Sequence, residues 1–225
     1  MIEPGATQLL TPVAQDYLKV IWSAQEWSDR PVTTKALAAR LGVGTSTVSE
    51  TVRRLVDAGL VSHQPYGAVG LTELGRAHAL QMVRRHRLLE TFLVAQLGYA
   101  WDEVHDEAEE LEHAVSDAFV ERVATLLGNP DRDPHGDPIP GADGTVRVPP
   151  AHTLWESAPG RWRVARISDA DPDLLRYVAS VGLVLDADVT VARQDVAGVV
   201  SVTFADGARV DLAEPAASAI WLTAP

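Results

Sequence analysis

Between Asp102 and Ser116 the chain runs Asp102-Glu103-Val104-His105-Asp106-Glu107-Ala108-Glu109-Glu110-Leu111-Glu112-His113. Imidazoles and carboxylates at this density either hold a divalent cation or form a solvated acidic face. Spacing separates the two. His105 and Glu109 are four apart, so they share one face of a helix. Glu112 and His113 follow three and four residues beyond Glu109. Beside them Val104, Ala108, Leu111 and Val115 form an apolar stripe. Upstream, His86 and Glu90 repeat the four-residue spacing. A lone His/Glu pair on a helix is ordinarily solvated. Four donors bordering an apolar stripe, with a second pair on the preceding helix, bring a borderline or hard divalent ion level with the solvated face as a reading of the spacing.

A catalytic metal is the competing reading, because carboxylate–histidine clusters also build hydrolase and di-iron sites. The chain has no His-Glu-x-x-His motif. Only Glu110-x-x-His113 has the Glu-x-x-His form, where a di-iron bundle needs two. It also has no Gly-rich phosphate loop and no G-x-S-x-G elbow. No catalytic residues are expected.

The elements that must position these donors follow from local signals. Thr11-Pro12 opens a helix from Val13 to about Trp27. Thr33 or Thr34 caps a short helix ending at Leu41, with Gly42 as its stop. Thr45 or Ser46 caps the next, to Asp57-Ala58. Leu60-Val61 and Val69–Leu71 read as two strands joined by a turn at Pro65-Tyr66-Gly67. Thr72 caps a long helix to about Leu97. Asp102 opens one to Ser116, and Ser116-Asp117 opens a third, closed at Gly128-Asn129-Pro130. Asp131–Pro150 is rich in Pro, Gly and Asp and reads as a loop and linker. Beyond it, Trp162–Ile167, Val189–Ala192, Val199–Phe204 and Ala208–Leu212 are β-branched runs, and Asp173–Val181 is a short helix. This is a small barrel of five or so strands.

The 225 residues carry a net charge of −12, unevenly spread. Residues 28–87 hold nine Lys or Arg against four Asp or Glu; residues 88–140 hold two against thirteen. The first segment can face phosphate, and the second repels itself unless cations neutralise part of it. With 46% hydrophobic residues the chain can bury a core. Cysteine is absent, which excludes disulfides and thiolate ligands and suits a cytoplasmic setting. No apolar run approaches a membrane span, and Met1–Leu10 lacks the pattern of a signal peptide.

Two short helices around Leu41-Gly42-Val43-Gly44, followed by a hairpin, form a winged helix-turn-helix. In that motif the start of the second helix meets base edges in the major groove. Here Thr45, Ser46, Thr47 and Ser49 offer short hydroxyl side chains. Glu50 can accept from a cytosine amino group, and Arg53 and Arg54 can reach phosphates. His63 and Tyr66 would flank the groove. Val48, Val52 and Leu55 fall on the opposite, core-facing side.

At Asp16-Tyr17-Leu18, Thr47–Val52, Leu71–Arg76, Arg85–Glu90, Glu103–Ala108, Glu112-His113, Asn129-Pro130 and Gly136–Gly141 the chain resembles the diphtheria-toxin-repressor family of metal-dependent regulators. The likeness is close over residues 11 to about 140 and looser beyond. It implies a mainly α fold with small β parts: a winged helix-turn-helix over 1–74, a helical dimerisation and metal-binding domain over 75–141, a linker over 142–153 and an SH3-like, FeoA-like β-barrel over 154–225. It implies a homodimer that binds a double-stranded DNA operator of metal-uptake genes as a repressor, with no membrane partner. It implies two metal sites per subunit. The primary one would use Asp16, Glu109, Glu112 and His113, and the ancillary one His86, Glu90 and His105, with Asp171 of the β domain as a further candidate.

The family's glutamine partner for that last contribution falls near Leu174, which cannot ligate. Iron-sensing members resemble this pattern with Met at the position of Asp16 and Cys at that of Glu109. Oxygen donors at both suit harder Mn²⁺, with Fe²⁺ and Co²⁺ as alternatives and Zn²⁺ as an in-vitro occupant. Bacillus-type manganese sensors have a further Glu where this chain has Lys19, so their binuclear arrangement is not expected. Readings from other classes are a metal-dependent hydrolase and an adaptor whose barrel binds a protein or proline-rich peptide.

Overall fold

The computed structural model describes residues 10–28, 30–63, 67–194 and 198–225. Tyr66 and most of the wing turn lie outside the described residues. The chain packs as two compact units. One comprises residues up to Arg85 with Pro140–Thr145, the other His86–Ile139 with Val146–Pro225.

In the first unit, α1 (Pro12–Glu26) begins where Thr11 accepts the amide of Ala14 and Pro12 takes the first helical position. It buries Tyr17, Leu18, Ile21 and Trp22. α2 (Thr34–Leu41) is capped by Thr33 and ended by Gly42 at φ +64°. α3 (Thr45–Asp57) departs from expectation at its start. Its N-cap is Gly44, and neither Thr45 nor Ser46 caps it. Their hydroxyls stay on the exposed surface. β1 (Val61–His63) and β2 (Val69–Leu71) pair antiparallel, with Val61 opposite Leu71, and the amide of Val69 donates to Val32 O at 2.8 Å. α4 (Glu73–Leu97) starts under a Thr72 cap that accepts from Gly75 N at 3.0 Å. A Cβ on Gly75 would lie 1.8 Å from Leu60 O, so the close approach of α4 to the strand entry requires glycine. Leu18, Ile21, Leu37, Val48 and Val69 are all fully buried, each worth about 1.5–3 kcal/mol.

In the second unit, α5 (Val104–Glu112) is shorter at both ends than the Asp102–Ser116 helix expected. Asp102 is engaged elsewhere, accepting from Arg176 at 2.8 Å. The amides of Ala114 and Val115 both turn back to Leu111 O, and Ser116 caps α6 (Asp117–Leu126) by accepting from Phe119 N. His113 therefore sits at the C-cap of α5. Val104 and Ala108 pack with Leu89 and Leu93 of α4, which seats α5 on that helix.

The β part is a six-stranded antiparallel sheet in the order β3-β8-β4-β5-β6-β7. Its strands are β3 (His152–Thr153), β4 (Gly160–Ile167), β5 (Asp188–Gln194), β6 (Val199–Phe204), β7 (Arg209–Ala213) and β8 (Ile220–Thr223). α7 (Pro172–Ser180) and the single turn α8 (Glu214–Ala217) complete it. Leu154, Val164, Ile167, Leu183, Val202, Ile220 and Leu222 form the core of this part. Among the described residues no helix is long and apolar enough to cross a membrane.

The segment before Ile139, read from sequence as a loop, is a polar strut. Asp133 accepts from the amides of His135 and Asp137 at 2.8 and 2.9 Å. Asp137 in turn accepts from Arg166 of β4 at 2.6 Å, and His135 O accepts from Ile167 N at 2.9 Å. Gly136, at φ +93°, lies against β4. A Cβ there would stand 2.1 Å from Ala165 O.

Candidate metal centre and nucleic-acid interface

His86 and Glu90, one turn apart on α4, are 7% and 1% exposed, and Glu112 at the end of α5 is fully buried. Three ionisable groups this deep need one another, because a buried charge without a partner is costly. His86 Nδ1 lies 2.7 Å from Glu112 Oε2 and donates its proton there. His86 Nε2 lies 2.9 Å from Glu90 Oε1 and 3.2 Å from His105 Nδ1. His105 Nδ1 is also 3.2 Å from Glu90 Oε1. Burial alone would raise the Glu90 carboxyl. The charge of His86, hydrogen bonds from His105 and His86, and the charge of His135 outweigh it and hold Glu90 well below the usual range.

His105 keeps 47% of its side chain exposed, and its Nε2 is 3.6 Å from Glu109 Oε1. Donor atoms of His86, His105 and Glu109 lie within 4.8 Å of one another. Glu109 thus stands beside the ancillary pair rather than only with the primary set, because four-residue spacing on α5 aligns it with His105. His113 Nε2 is 3.6 Å from Glu112 Oε1. His86 consequently touches both expected sets: one ring nitrogen faces Glu112, the other faces Glu90 and His105.

Asp16 lies partly buried on α1, in the other unit. Asp171 is not brought to the cluster. Its carboxylate caps α7, accepting from Asp173 N and Leu174 N at 3.0 and 3.2 Å. The signal was in the sequence, since Asp followed by Pro is the N-cap and first position of a helix. The β-domain carboxylate that does approach is Asp169, whose Oδ2 is 3.5 Å from His105 Nδ1. A second group of donor atoms, from Glu90, His135 and Asp169, also lies within 4.8 Å. His135 carried no periodic signal because it sits in the strut, not on a helix.

On α3 the side chains of Thr45, Ser46, Thr47, Ser49, Glu50, Arg53 and Arg54 are all exposed, while Val48, Val52 and Leu55 are buried. Thr51 is buried as well. Glu50 forms an ion pair with Arg54 at 3.3 Å, and Ser49 Oγ donates to Thr45 O at 2.9 Å. This is a polar ridge supported from behind by a packed apolar face, the form that a major-groove reader needs.

Three family models match the chain: the iron dependent repressor N-terminal DNA binding domain over residues 9–69, the iron dependent repressor metal binding and dimerisation domain over 72–141, and the FeoA domain over 157–224. The iron-dependent repressor IdeR of Mycobacterium tuberculosis is 39% identical over 132 residues, which are 59% of this chain and 57% of that relative. The matched stretch therefore spans little more than half the length of that relative. IdeR of Mycobacterium leprae is 33% identical over 205 residues, 85% of this chain and 88% of the relative. A solved manganese-dependent transcriptional repressor in complex with manganese superimposes with a TM-score of 0.90 at 62% identity, covering 94% of this chain and all of that one. By these matches the chain belongs to the diphtheria-toxin-repressor family of iron-dependent repressors.

Proposed function

We propose that the protein is a manganese-responsive transcriptional repressor that binds operators of metal-uptake genes as a homodimer. The observation that carries this reading is the nitrogen–oxygen donor set of His86, His105 and Glu109, with the buried Glu90 beside both imidazoles, held on two packed helices and lacking any thiol. Imidazole with carboxylate suits Mn²⁺ better than soft ligands would, and Fe²⁺ is the runner-up. The similarity to a manganese-dependent repressor supports the same choice.

In this reading Glu109, Glu112 and His113 are joined by Asp16 of α1 as the primary ligands, and His86, Glu90, His105 and Asp169 hold the ancillary ion. The ion supplies positive charge that offsets the repulsion among these carboxylates. Asp16 ties the first helix, and with it the α3 ridge, to the helices of the dimer. His86 joins the two sites, since its ring touches Glu112 on one side and Glu90 on the other. Two α3 ridges are thereby held at the spacing of half-sites about one helical turn apart. A coupling of about 1–3 kcal/mol between metal and DNA binding is ordinary for such a switch. Leu97, Phe119 and Leu126, all exposed in the single chain, supply apolar area for the dimer contact. Acting on operators places the protein with the DNA, in the cytoplasm.

The test is DNA binding to regions upstream of metal-uptake genes, titrated with Mn²⁺, anaerobic Fe²⁺, Co²⁺ and Zn²⁺, for the wild type and Asp16→Ala. Mn²⁺ raises specific affinity, and Asp16→Ala abolishes the rise. Activation by Fe²⁺ alone would overturn the choice of metal. Affinity indifferent to every metal would overturn the switch.

A further inference from the structure

β4 is not a regular strand. Its pairing with β8 slips between Val164, opposite Leu222, and Arg166, opposite Trp221, which leaves Ala165 as an extra residue. Val164 and Ile167 are three apart and would point to opposite faces of a regular strand, yet both are fully buried in the β core. The bulge resolves this conflict. It also re-aims Arg166, whose guanidinium lies 4.2 Å from the centre of the Trp221 ring.

The strut meets β4 at this bulge. A Cβ on Gly136 would stand 2.9 Å from Arg166 Cα as well as against Ala165 O, so glycine is what lets the two backbones come this close. On one side of Gly136, His135 O accepts from Ile167 N. On the other, Asp137 Oδ1 accepts from Arg166 Nε at 2.6 Å. Asp137 and Arg166 are both buried. Arg87 of α4, buried as well, joins the group. Its Nη1 donates to Pro138 O at 2.6 Å, and its Nη2 lies 3.5 Å from Asp137 Oδ1. Asp137 thus serves one guanidinium from α4 and one from the β domain.

Two other ion pairs join the helical part to the β domain, Arg132 with Asp186 and Arg176 with Asp102. Their arginines stand in water, where such pairs contribute little. The Arg166–Asp137 pair is of another kind, because removing either member takes a counter-charge from a buried partner.

We propose that Asp137 and the bulge of β4 form a latch that fastens the β domain to α4 through the strut before any metal binds, with Arg166 as its positioning residue. Each of these contacts is between the chain's own groups, so the latch closes without an ion. The β domain is then a fixed neighbour of α4, not a tethered module that docks on metal loading. The latch is decided on the metal-free chain and does not depend on the repressor reading.

The experiment is amide hydrogen exchange of the full chain, read by mass spectrometry in EDTA and again with Mn²⁺. Arg166→Met keeps an unbranched stem beside Trp221 and removes the donor. Asp137→Ala removes the acceptor from the strut side. Arg163→Met, on the same strand but paired with Asp188 at the surface, is the control. In EDTA the wild-type strut, residues 131–139, and the end of β4 are protected. In Arg166→Met and Asp137→Ala their exchange quickens about 10-fold or more, while β5 and β6 keep wild-type rates and Arg163→Met changes neither. A wild-type strut that is unprotected, or protected only after Mn²⁺ is added, overturns the latch. So does the same acceleration in Arg163→Met. The latch is also overturned if neither Arg166→Met nor Asp137→Ala confines its acceleration to the strut and the end of β4. Unchanged exchange would mean that the pair holds nothing there, and equal acceleration of β5 and β6 that it holds the β fold itself.

Discussion

The ridge of α3 and the cluster between α4 and α5 both carry polar side chains suggested by spacing, under opposite physical conditions. On α3 all seven candidate side chains stand in water, and the apolar face behind them does the folding. In the cluster, Glu90 and Glu112 are buried, each with an imidazole nitrogen within hydrogen-bond distance. The ridge can therefore change its chemistry at little cost to stability. The cluster cannot, because removing one member takes a hydrogen-bond partner from another that is buried. Surface chemistry and stability are separable on the α3 ridge and coupled in the α4–α5 cluster.

The largest test of this contrast is Glu112→Ala. It removes the carboxylate hydrogen-bonded to His86 Nδ1 in a buried site, so the metal-free protein loses about 1.5–3 kcal/mol in urea denaturation. Mn²⁺-dependent DNA affinity is lost with it. A variant as stable as the wild type would break the comparison.

A second test uses pH. Burial, with the neighbouring charges of Asp137 and Glu90, pushes Asp133 from 3.8 up to about 8. A carboxyl whose folded value is raised binds its proton more tightly in the folded state. Its contribution to stability is therefore complete below about pH 4 and is lost as pH rises towards 8. In Asp133→Asn, which still accepts from the amides of His135 and Asp137, this decline is removed from the metal-free denaturation curve. Parallel curves for the two proteins between pH 4 and 8 would refute it.

Asp169 and Asp171 sharpen the comparison within one short stretch. Asp171→Ala removes the α7 cap and costs about 1 kcal/mol, leaving Mn²⁺ affinity unchanged. Asp169→Ala weakens Mn²⁺ binding by about 10-fold or more, as loss of a metal ligand or its support does. Calorimetric titration beside thermal melts checks both, and a reversed pattern would restore Asp171 as the metal residue.

The smallest stability effect is expected on α3. Arg53→Ala and Arg54→Ala leave stability within about 0.5 kcal/mol. Removing one arginine–phosphate pairing lowers the slope of log affinity against log salt by about 0.9. An unchanged salt slope in both variants would remove these side chains from the interface.

Much of this organisation was legible in the chain. Thr11-Pro12, Thr33 and Gly42 marked helix ends because capping is local chemistry between neighbours. The apolar positions Val48, Val52 and Leu55 predicted the buried side of α3, and so its exposed ridge. His86 with Glu90 and His105 with Glu109 were found because a helix repeats in register with their spacing. The failures were of another kind. The ends of α5 were set by Arg176 drawing Asp102 away and by the Ser116 cap of α6. β3 and β8 were not among the strands read from sequence, and their pairing joins residues about seventy positions apart.

The sequence by itself determined the helix faces, the polar ridge of α3, the absence of thiol ligands and the imidazole–carboxylate donor set, since each depends on residue type and short-range periodicity. Tertiary structure alone decided that Asp169 rather than Asp171 meets His105, that His86 touches both ligand sets, and that His135 turns an unpaired nitrogen towards Glu90. Those contacts join the strut and the β domain to α4 and α5. No local spacing encodes them, because they arise only when segments far apart in the chain pack around shared buried charges.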